Sequence, residues 1–109
     1  MAETRKVLGQ AAPNAATLTS LYTVPAATQA VGSTIVVCNR STVAATFRLS
    51  VAVAGVADAT KQYIAYDTPI AGSSTVALTI GITLGATDSV RVYATLATLS
   101  FTLFGVELT

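Results

Sequence analysis

The stretch that decides the fold is Ser89–Leu108, SVRVYATLATLSFTLFGVEL, in which apolar residues occupy every second position in two successive runs. The positions expected to face inward are Val90, Val92, Ala94, Leu99, Phe101 and Leu103. The positions between them are Arg91, Tyr93, Ser100 and Thr102. A period of two is typical of a β-strand with one buried face. The stretch therefore predicts two strands that each pack one side against a core.

The same period recurs along most of the chain. In TFRLSVAV (46–53) and STVALTI (74–80) the expected inward residues are Phe47, Leu49, Val51, Val53, Val76, Leu78 and Ile80. Turn-forming residues separate runs at roughly 3–9, 18–24, 31–38, 45–53, 61–67, 74–80, 89–95 and 98–108. Gly81 interrupts one apolar run and predicts a bend or bulge there. The sequence predicts an all-β fold, a single antiparallel β-sandwich or jelly-roll-like domain of about eight strands.

At 109 residues the chain has room for one domain. Residues 1–16 are expected to form the first strand and an Ala-rich loop or arm, QAAPNAA (10–16), and residues 17–109 the sandwich. This segment is the longest without sandwich periodicity, so it is a candidate clamp for a partner. Its start, MAETRKVLGQ, has no apolar run and is not expected to act as a secretory signal.

The charge balance argues against nucleic acid and membrane partners. Only 10% of residues are charged and the formal net charge is +1, whereas phosphate backbones attract clustered Lys and Arg. Arg5 and Lys6 are the only adjacent basic residues. The run 68–87 carries no charge, but Pro69 and three glycines break it, which is wrong for a spanning helix.

Side chains that carry most enzyme chemistry are missing. The sequence has no histidine, which excludes Ser-His-Asp and Cys-His arrangements and His-based metal sites. Cys38 is the only cysteine, so it cannot form a disulfide within the chain, and it is expected to be a packed thiol in a protein made in a reducing cytoplasm. The five carboxylates are scattered as turn formers or solubilising charges: Glu3, Asp58, Asp67, Asp88 and Glu107. We expect no enzyme activity, no cofactor and no metal.

The surface is the remaining place for function. Strands whose outer face is Thr, Ser and Ala, with few charges at their edges, are expected to be covered by other copies or by another protein. Arg48 and Arg91, mid-strand on outer faces, are candidate interface residues, with pairing to Asp67 or Asp88 as the alternative. Arg5 and Lys6 are candidates on the N-terminal segment.

The tyrosines offer a second kind of surface. The four tyrosines offer a protein-binding or glycan-binding face, with ordinary packing as the alternative, because tyrosine combines apolar area with a polar tip: Tyr22, Tyr63, Tyr66 and Tyr93. Of these, Tyr63 and Tyr93 are the candidate site residues. Tyr63 and Tyr66 are three apart, so a regular strand would place them on opposite faces and at least one in the core.

Several stretches carry a resemblance to a known group of proteins. They are LYTVPAATQAV (21–31), VCNRS (37–41), KQYIAYDTPI (61–70), LGATDSVRVYA (84–94) and LSFTLFGVEL (99–108). With them the chain resembles small virion proteins of tailed bacteriophages over nearly its whole length beyond the first few residues. These stretches are structural, and none is a catalytic motif.

The resemblance implies a structural role in a virion assembled in the bacterial cytoplasm. Proteins of this kind decorate or cement the capsid, or lie on the tail and neck. The first expectation is therefore a capsid decoration or cement protein that binds the shell and neighbouring copies. A trimer is one oligomeric state considered for it. The alternatives are a tail or neck component, such as an adaptor or fibre-associated module, and then a carbohydrate-binding module.

Overall fold

The protein is a sandwich of two antiparallel β-sheets, described for residues 2–109 by a computed structural model. Its strands are β1 (Glu3–Ala11), β2 (Thr19–Thr23), β3 (Gln29–Asn39), β4 (Ala45–Ala52), β5 (Tyr63–Ile70), β6 (Thr75–Leu78), β7 (Ile82–Leu84), β8 (Ser89–Ala94) and β9 (Leu99–Leu108). Two 3₁₀ turns, Val53–Gly55 and Thr60–Gln62, lie between β4 and β5. The predicted all-β sandwich is confirmed. No helix among residues 2–109 has the length and apolarity to span a membrane.

The first sheet has the order β1-β9-β3-β6, with β7 also paired to β3, and the second has the order β2-β8-β4-β5. The stretch Ser89–Leu108 supplies a central strand to each sheet, since β8 lies between β2 and β4 while β9 lies between β1 and β3. Every pairing is antiparallel. Two consecutive alternating runs therefore anchor both layers of the fold.

The core fills the space between the sheets with the inward residues of the alternating strands. Its largest fully buried side chains are Phe47, Phe101, Ile35, Leu49, Ile70, Leu84, Leu99 and Leu103. Phe47 of the second sheet meets Phe101 of the first edge-to-face, with 6.2 Å between ring centroids. Burying such a side chain contributes about 2 to 3 kcal/mol, so these positions hold the layers together. The inward faces predicted for β8 and β9 are confirmed.

The run predicted at 74–80 divides into two strands. β6 ends at Leu78, Ile80 is exposed instead of inward, and Gly81 has a φ of +53°. This left-handed residue is the predicted bend, and after it the chain forms β7 against β3. The result is nine strands among residues 2–109, where about eight were predicted for the chain.

The inward face of β4 ends earlier than its alternation predicts. The strand stops at Ala52, and Val53 begins a 3₁₀ turn with its side chain exposed. Ala54 and Gly55 both have positive φ, which turns the chain away from the sheet. Ser50 and Ala52, which alternate with the inward positions, are buried as well.

The N-terminal segment contributes directly to the sandwich. β1 pairs with β9 from Glu3↔Leu108 to Ala11↔Phe101 and forms one edge of the first sheet. Ala2 and Thr109 exchange two backbone hydrogen bonds of 2.6 and 2.9 Å. Residues 12–18 then cross to the second sheet, where β2 begins.

Cys38 lies near the end of β3, opposite Thr75 and Ser100. Its neighbours Val37 and Asn39 are buried, whereas Cys38 itself is half-buried. The thiol therefore lies on the outer side of the first sheet and not in the core where it was expected.

Candidate interaction surface

The outer face of the second sheet brings together four of the predicted interface residues, Arg48, Tyr63, Arg91 and Tyr93. Arg48 of β4 lies opposite Tyr93 of β8, and Ser50 of β4 lies opposite both Arg91 and Tyr63. Residues directly opposite in an antiparallel pair point to the same side of the sheet. The register therefore gathers these side chains on one face.

Irregular pairing adds Tyr66 to the same group. Leu49↔Ala65 and Ser50↔Tyr63 are successive partners on β4 and β5, so two steps along β5 match one step along β4, and Ile64 is the extra residue. A second bulge follows between Leu49↔Ala65 and Phe47↔Thr68, where Tyr66 and Asp67 lie opposite Arg48 alone, and Asp67 has a φ of +48°.

The extra residue Ile64 overturns the prediction that Tyr63 and Tyr66 lie on opposite faces with at least one in the core. Tyr63 is half-buried and Tyr66 is 57% exposed, with their ring centroids 5.0 Å apart at 89°. Each extra residue on a strand reverses the direction of the side chains that follow. Sequence reasoning missed Tyr66 for this reason. The adjacent Asp-Thr-Pro, residues that favour turns and edges, is the signal that could have suggested an irregular strand.

Arg48, Tyr63, Tyr66 and Tyr93 form a unit that we call the tyrosine–arginine cluster. The Arg48 guanidinium carbon lies 4.2 Å from the centroid of the Tyr66 ring and 4.3 Å from that of Tyr93. Its Nε donates a 2.6 Å hydrogen bond to Oδ1 of Asp67, which raises the pKa of Arg48 above its ordinary value. This confirms the predicted alternative of a cross-strand pair with Asp67. The cation is fixed in orientation by two rings and a carboxylate.

Further hydrogen bonds fix the margin of the cluster. The Tyr63 hydroxyl donates to Oδ2 of Asp58 at 3.0 Å, and burial together with this bond raises the pKa of Tyr63. Arg91 Nη2 donates to the Gly55 carbonyl at 3.0 Å. Beneath these side chains Ser50 is fully buried, and its Oγ has no hydrogen-bond partner.

Arg5 and Lys6 lie elsewhere, on edge strand β1 of the first sheet. Arg5 pairs with Glu3 at 3.1 Å, and Lys6 pairs with Glu107 at 3.3 Å. Glu107 also accepts a 2.5 Å hydrogen bond from the buried Tyr22. The structure thus separates these two candidates from the other four.

The outer face of the first sheet is apolar along its middle. Val7 of β1 lies opposite Phe104 of β9, and the two side chains are 43% and 42% exposed. Val31 of β3 is also exposed and lies opposite Val106. Glu3 and Arg5 are at one end of this face. The two sheets therefore present different outer surfaces.

All five carboxylates are engaged in contacts of their own. Beside the four described above, Asp88 accepts hydrogen bonds from the backbone N–H groups of Gly85 and Ala54, both at 2.9 Å, as a turn former would. Among residues 2–109 no group of three or more His, Cys, Asp and Glu side chains could hold a metal ion.

No family model matches the chain, and no curated protein matches it. A solved structure, a pentameric capsid protein isolated from metagenomic phage sequences, aligns with 96% of this chain at 12% identity and a TM-score of 0.38. The chain spans 59% of the length of that capsid protein. Likeness at this level says nothing of function, which has to be argued from the residues of this chain.

Proposed function

We propose that the protein is a non-enzymatic structural component of a bacteriophage virion, a decoration or cement protein that binds the capsid shell and neighbouring copies. The phage setting rests on the sequence resemblance. A non-enzymatic role is supported by the lack of histidine and by the separate contacts of the carboxylates. The observation that supports binding to a protein partner is the tyrosine–arginine cluster on the outer face of the second sheet.

The cluster has the composition and preorganisation of a protein-binding site. Tyrosine and arginine are enriched among residues that dominate interface energies. Arg48 is held between Tyr66 and Tyr93 before any partner arrives, so little side-chain entropy remains to be lost on binding. Because the cluster lies on an open sheet face, it suits a broad protein surface.

Copy number tests the location. Quantitative mass spectrometry of purified virions is expected to find hundreds of copies per particle if the protein covers the shell. A dozen copies or fewer would contradict decoration and would favour the tail or neck alternative.

Truncation of Tyr66 tests the cluster. Tyr66→Ala removes a side chain that is 57% exposed, and Val43→Ala removes one that is 58% exposed and outside the cluster. In particles complemented with each variant, occupancy is expected to fall about tenfold or more for Tyr66→Ala, as for a hot-spot tyrosine, and to be unchanged for Val43→Ala. Equal occupancy for both variants would contradict the proposal that the cluster contacts the shell.

A glycan-binding role is the second candidate, favoured by the gathering of Tyr63, Tyr66 and Tyr93 on one face. Titration with host polysaccharides distinguishes it. Saturable binding that Tyr93→Ala abolishes would support glycan recognition, whereas full particle occupancy without any glycan binding would support the shell.

A further inference from the structure

We infer that β1 is the contact edge between neighbouring copies, through antiparallel pairing with β1 of a second copy about a two-fold axis at Thr4. The inference deepens the proposed function, since it names the surface by which neighbouring copies meet. It rests on the length of this edge, on the direction of its unpaired backbone groups and on its charge order.

The sandwich edges differ in how open they are. β2, β6 and β7 have five, four and three residues, and β5 carries its bulges and Pro69. β1 has nine residues and a bulge between Val7 and Gly9, but its register is regular from Glu3 to Val7, and these five residues are all exposed. Short strands, bulges, proline and charged side chains are the devices that block edge pairing. Because β1 carries Glu3, Arg5 and Lys6, pairing at this edge requires a register that matches opposite charges. Among the described strands, β1 is the longest edge.

The hydrogen-bonding pattern of β1 is fixed by Ala2, the residue that precedes the strand. Ala2 and Thr109 donate to each other's carbonyls, so this is a hydrogen-bonded pair. Hydrogen-bonded and non-hydrogen-bonded pairs alternate along an antiparallel ladder. The N–H and C=O groups of Glu3, Arg5 and Val7 therefore point away from β9, toward the open edge.

The charge order selects one register. A two-fold axis normal to the sheet keeps the outer face on the same side in both copies, so outward residues must meet outward residues. With the axis at Thr4, Glu3 lies opposite Arg5 of the second copy, and both residues have free backbone groups. An axis at Arg5 or Lys6 would place each of these cations against its own counterpart.

This arrangement gives a short, weak contact that is suited to a crowded surface. Two symmetric Glu3–Arg5 pairs flank a non-hydrogen-bonded Thr4–Thr4 pair, and each flanking pair can exchange two backbone hydrogen bonds. The apolar outer faces around Val7 and Phe104 then become continuous across both copies. When a shell already holds the copies side by side, the high effective concentration favours such a contact.

Disulfide trapping of the purified protein tests the axis. The Cβ atoms of a non-hydrogen-bonded pair are about 4.5 to 5.5 Å apart, close enough for a small adjustment to form a disulfide. In a Cys38→Ser background, Thr4→Cys is expected to form covalent dimers under mild oxidation about ten times faster than the equally surface-placed Val43→Cys, given proximity in the one case and random collision in the other. Equal rates would overturn the inference, and so would a trimer in light scattering, because an isologous contact closes at two copies.

Charge exchange tests the register. Glu3→Arg in the Thr4→Cys background places like charges opposite each other twice and is expected to slow trapping about tenfold. Adding Arg5→Glu to the same chain restores opposite charges and should restore the rate. A double variant as slow as the single one would exclude this register. These measurements need no virion, so their failure is distinct from failure of shell binding.

Discussion

At the scale of single residues, Ser50 and Ser89 form a natural comparison of buried hydroxyl groups. Ser50 Oγ has no partner, whereas Ser89 Oγ lies 3.0 Å from Oγ1 of Thr23. A buried hydroxyl without a hydrogen bond costs about 1 to 3 kcal/mol. We expect Ser50→Ala to leave the free energy of unfolding unchanged or to raise it by about 1 kcal/mol, and Ser89→Ala to lower it by about 1 kcal/mol. Urea denaturation of both variants measures this, and an equal loss for both would contradict the assignment of Ser50 as unpaired.

Glu107 gives the fold an acid sensitivity. The hydrogen bond from Tyr22, followed by Lys6, lowers the pKa of Glu107 below its ordinary value. A carboxyl whose pKa is lower in the folded state stabilises the fold fully above its unfolded pKa, and this contribution is lost as the pH falls through the folded pKa. We expect Glu107→Gln to reduce the fall in stability below about pH 4.5, the ordinary carboxyl range.

The measurement is urea unfolding at neutral pH and at successively lower pH. Glu3→Gln is the matched control, because among residues 2–109 the exposed Glu3 carboxylate bonds only to the exposed Arg5 side chain. An acid-induced loss of stability as steep in Glu107→Gln as in Glu3→Gln would contradict the role of Glu107.

At the scale of elements, the β5 bulge opposite Arg48 depends on the left-handed conformation of Asp67. Asp67→Ala and Asp67→Gly both remove the carboxylate that pairs with Arg48, but only glycine adopts positive φ without a steric penalty. We expect Asp67→Ala to be less stable than Asp67→Gly by about 1 kcal/mol in chemical denaturation. If alanine were the more stable of the two, the bulge would not hold the conformation described.

The sequence predicted regular elements well and irregular ones poorly. β8 and β9 follow strict alternation, and their inward residues are buried as predicted. The missed features are the separate β7, the exposed Val53 and the pairing of Tyr63 with Tyr66. Each lies next to a residue with positive φ or at a bulge. A single extra residue reverses a strand's faces without altering composition or hydrophobicity, so periodicity alone could not locate it.

The candidate site was predictable to the same extent. Arg48 and Arg91 could be selected because they are the charged residues of otherwise neutral strands, and Tyr63 and Tyr93 because tyrosine combines apolar area with a polar tip. The pairing of Arg48 with Asp67 was predicted as an alternative. Their convergence on one face depends on which strands are neighbours, a property of topology and not of local sequence.

At the scale of the whole molecule, the two proposed contacts lie on different layers. The tyrosine–arginine cluster lies on the outer face of the second sheet, on β4, β5 and β8. The edge strand β1 belongs to the first sheet, where Val7 lies opposite Phe104. The buried core lies between the two outer surfaces and separates them. Substitutions at distant sites without shared contacts usually act independently, so a change on one outer surface is expected to leave the other unchanged. One layer can then face the shell while an edge of the other meets a neighbour.

This separation predicts two independent losses. Tyr66→Ala is expected to lose particle occupancy while its Thr4→Cys form still traps dimers at the rate of the unaltered cluster. Glu3→Arg is expected to trap dimers poorly but to retain binding to particles, weakened only by the avidity that neighbouring copies supply. Particle occupancy and trapping rate, measured on both variants with Val43→Ala as the common control, decide the matter. If either substitution abolished both properties in a chain that still unfolds cooperatively, shell binding and copy-to-copy contact would share one surface, and the assignment of separate layers would be wrong.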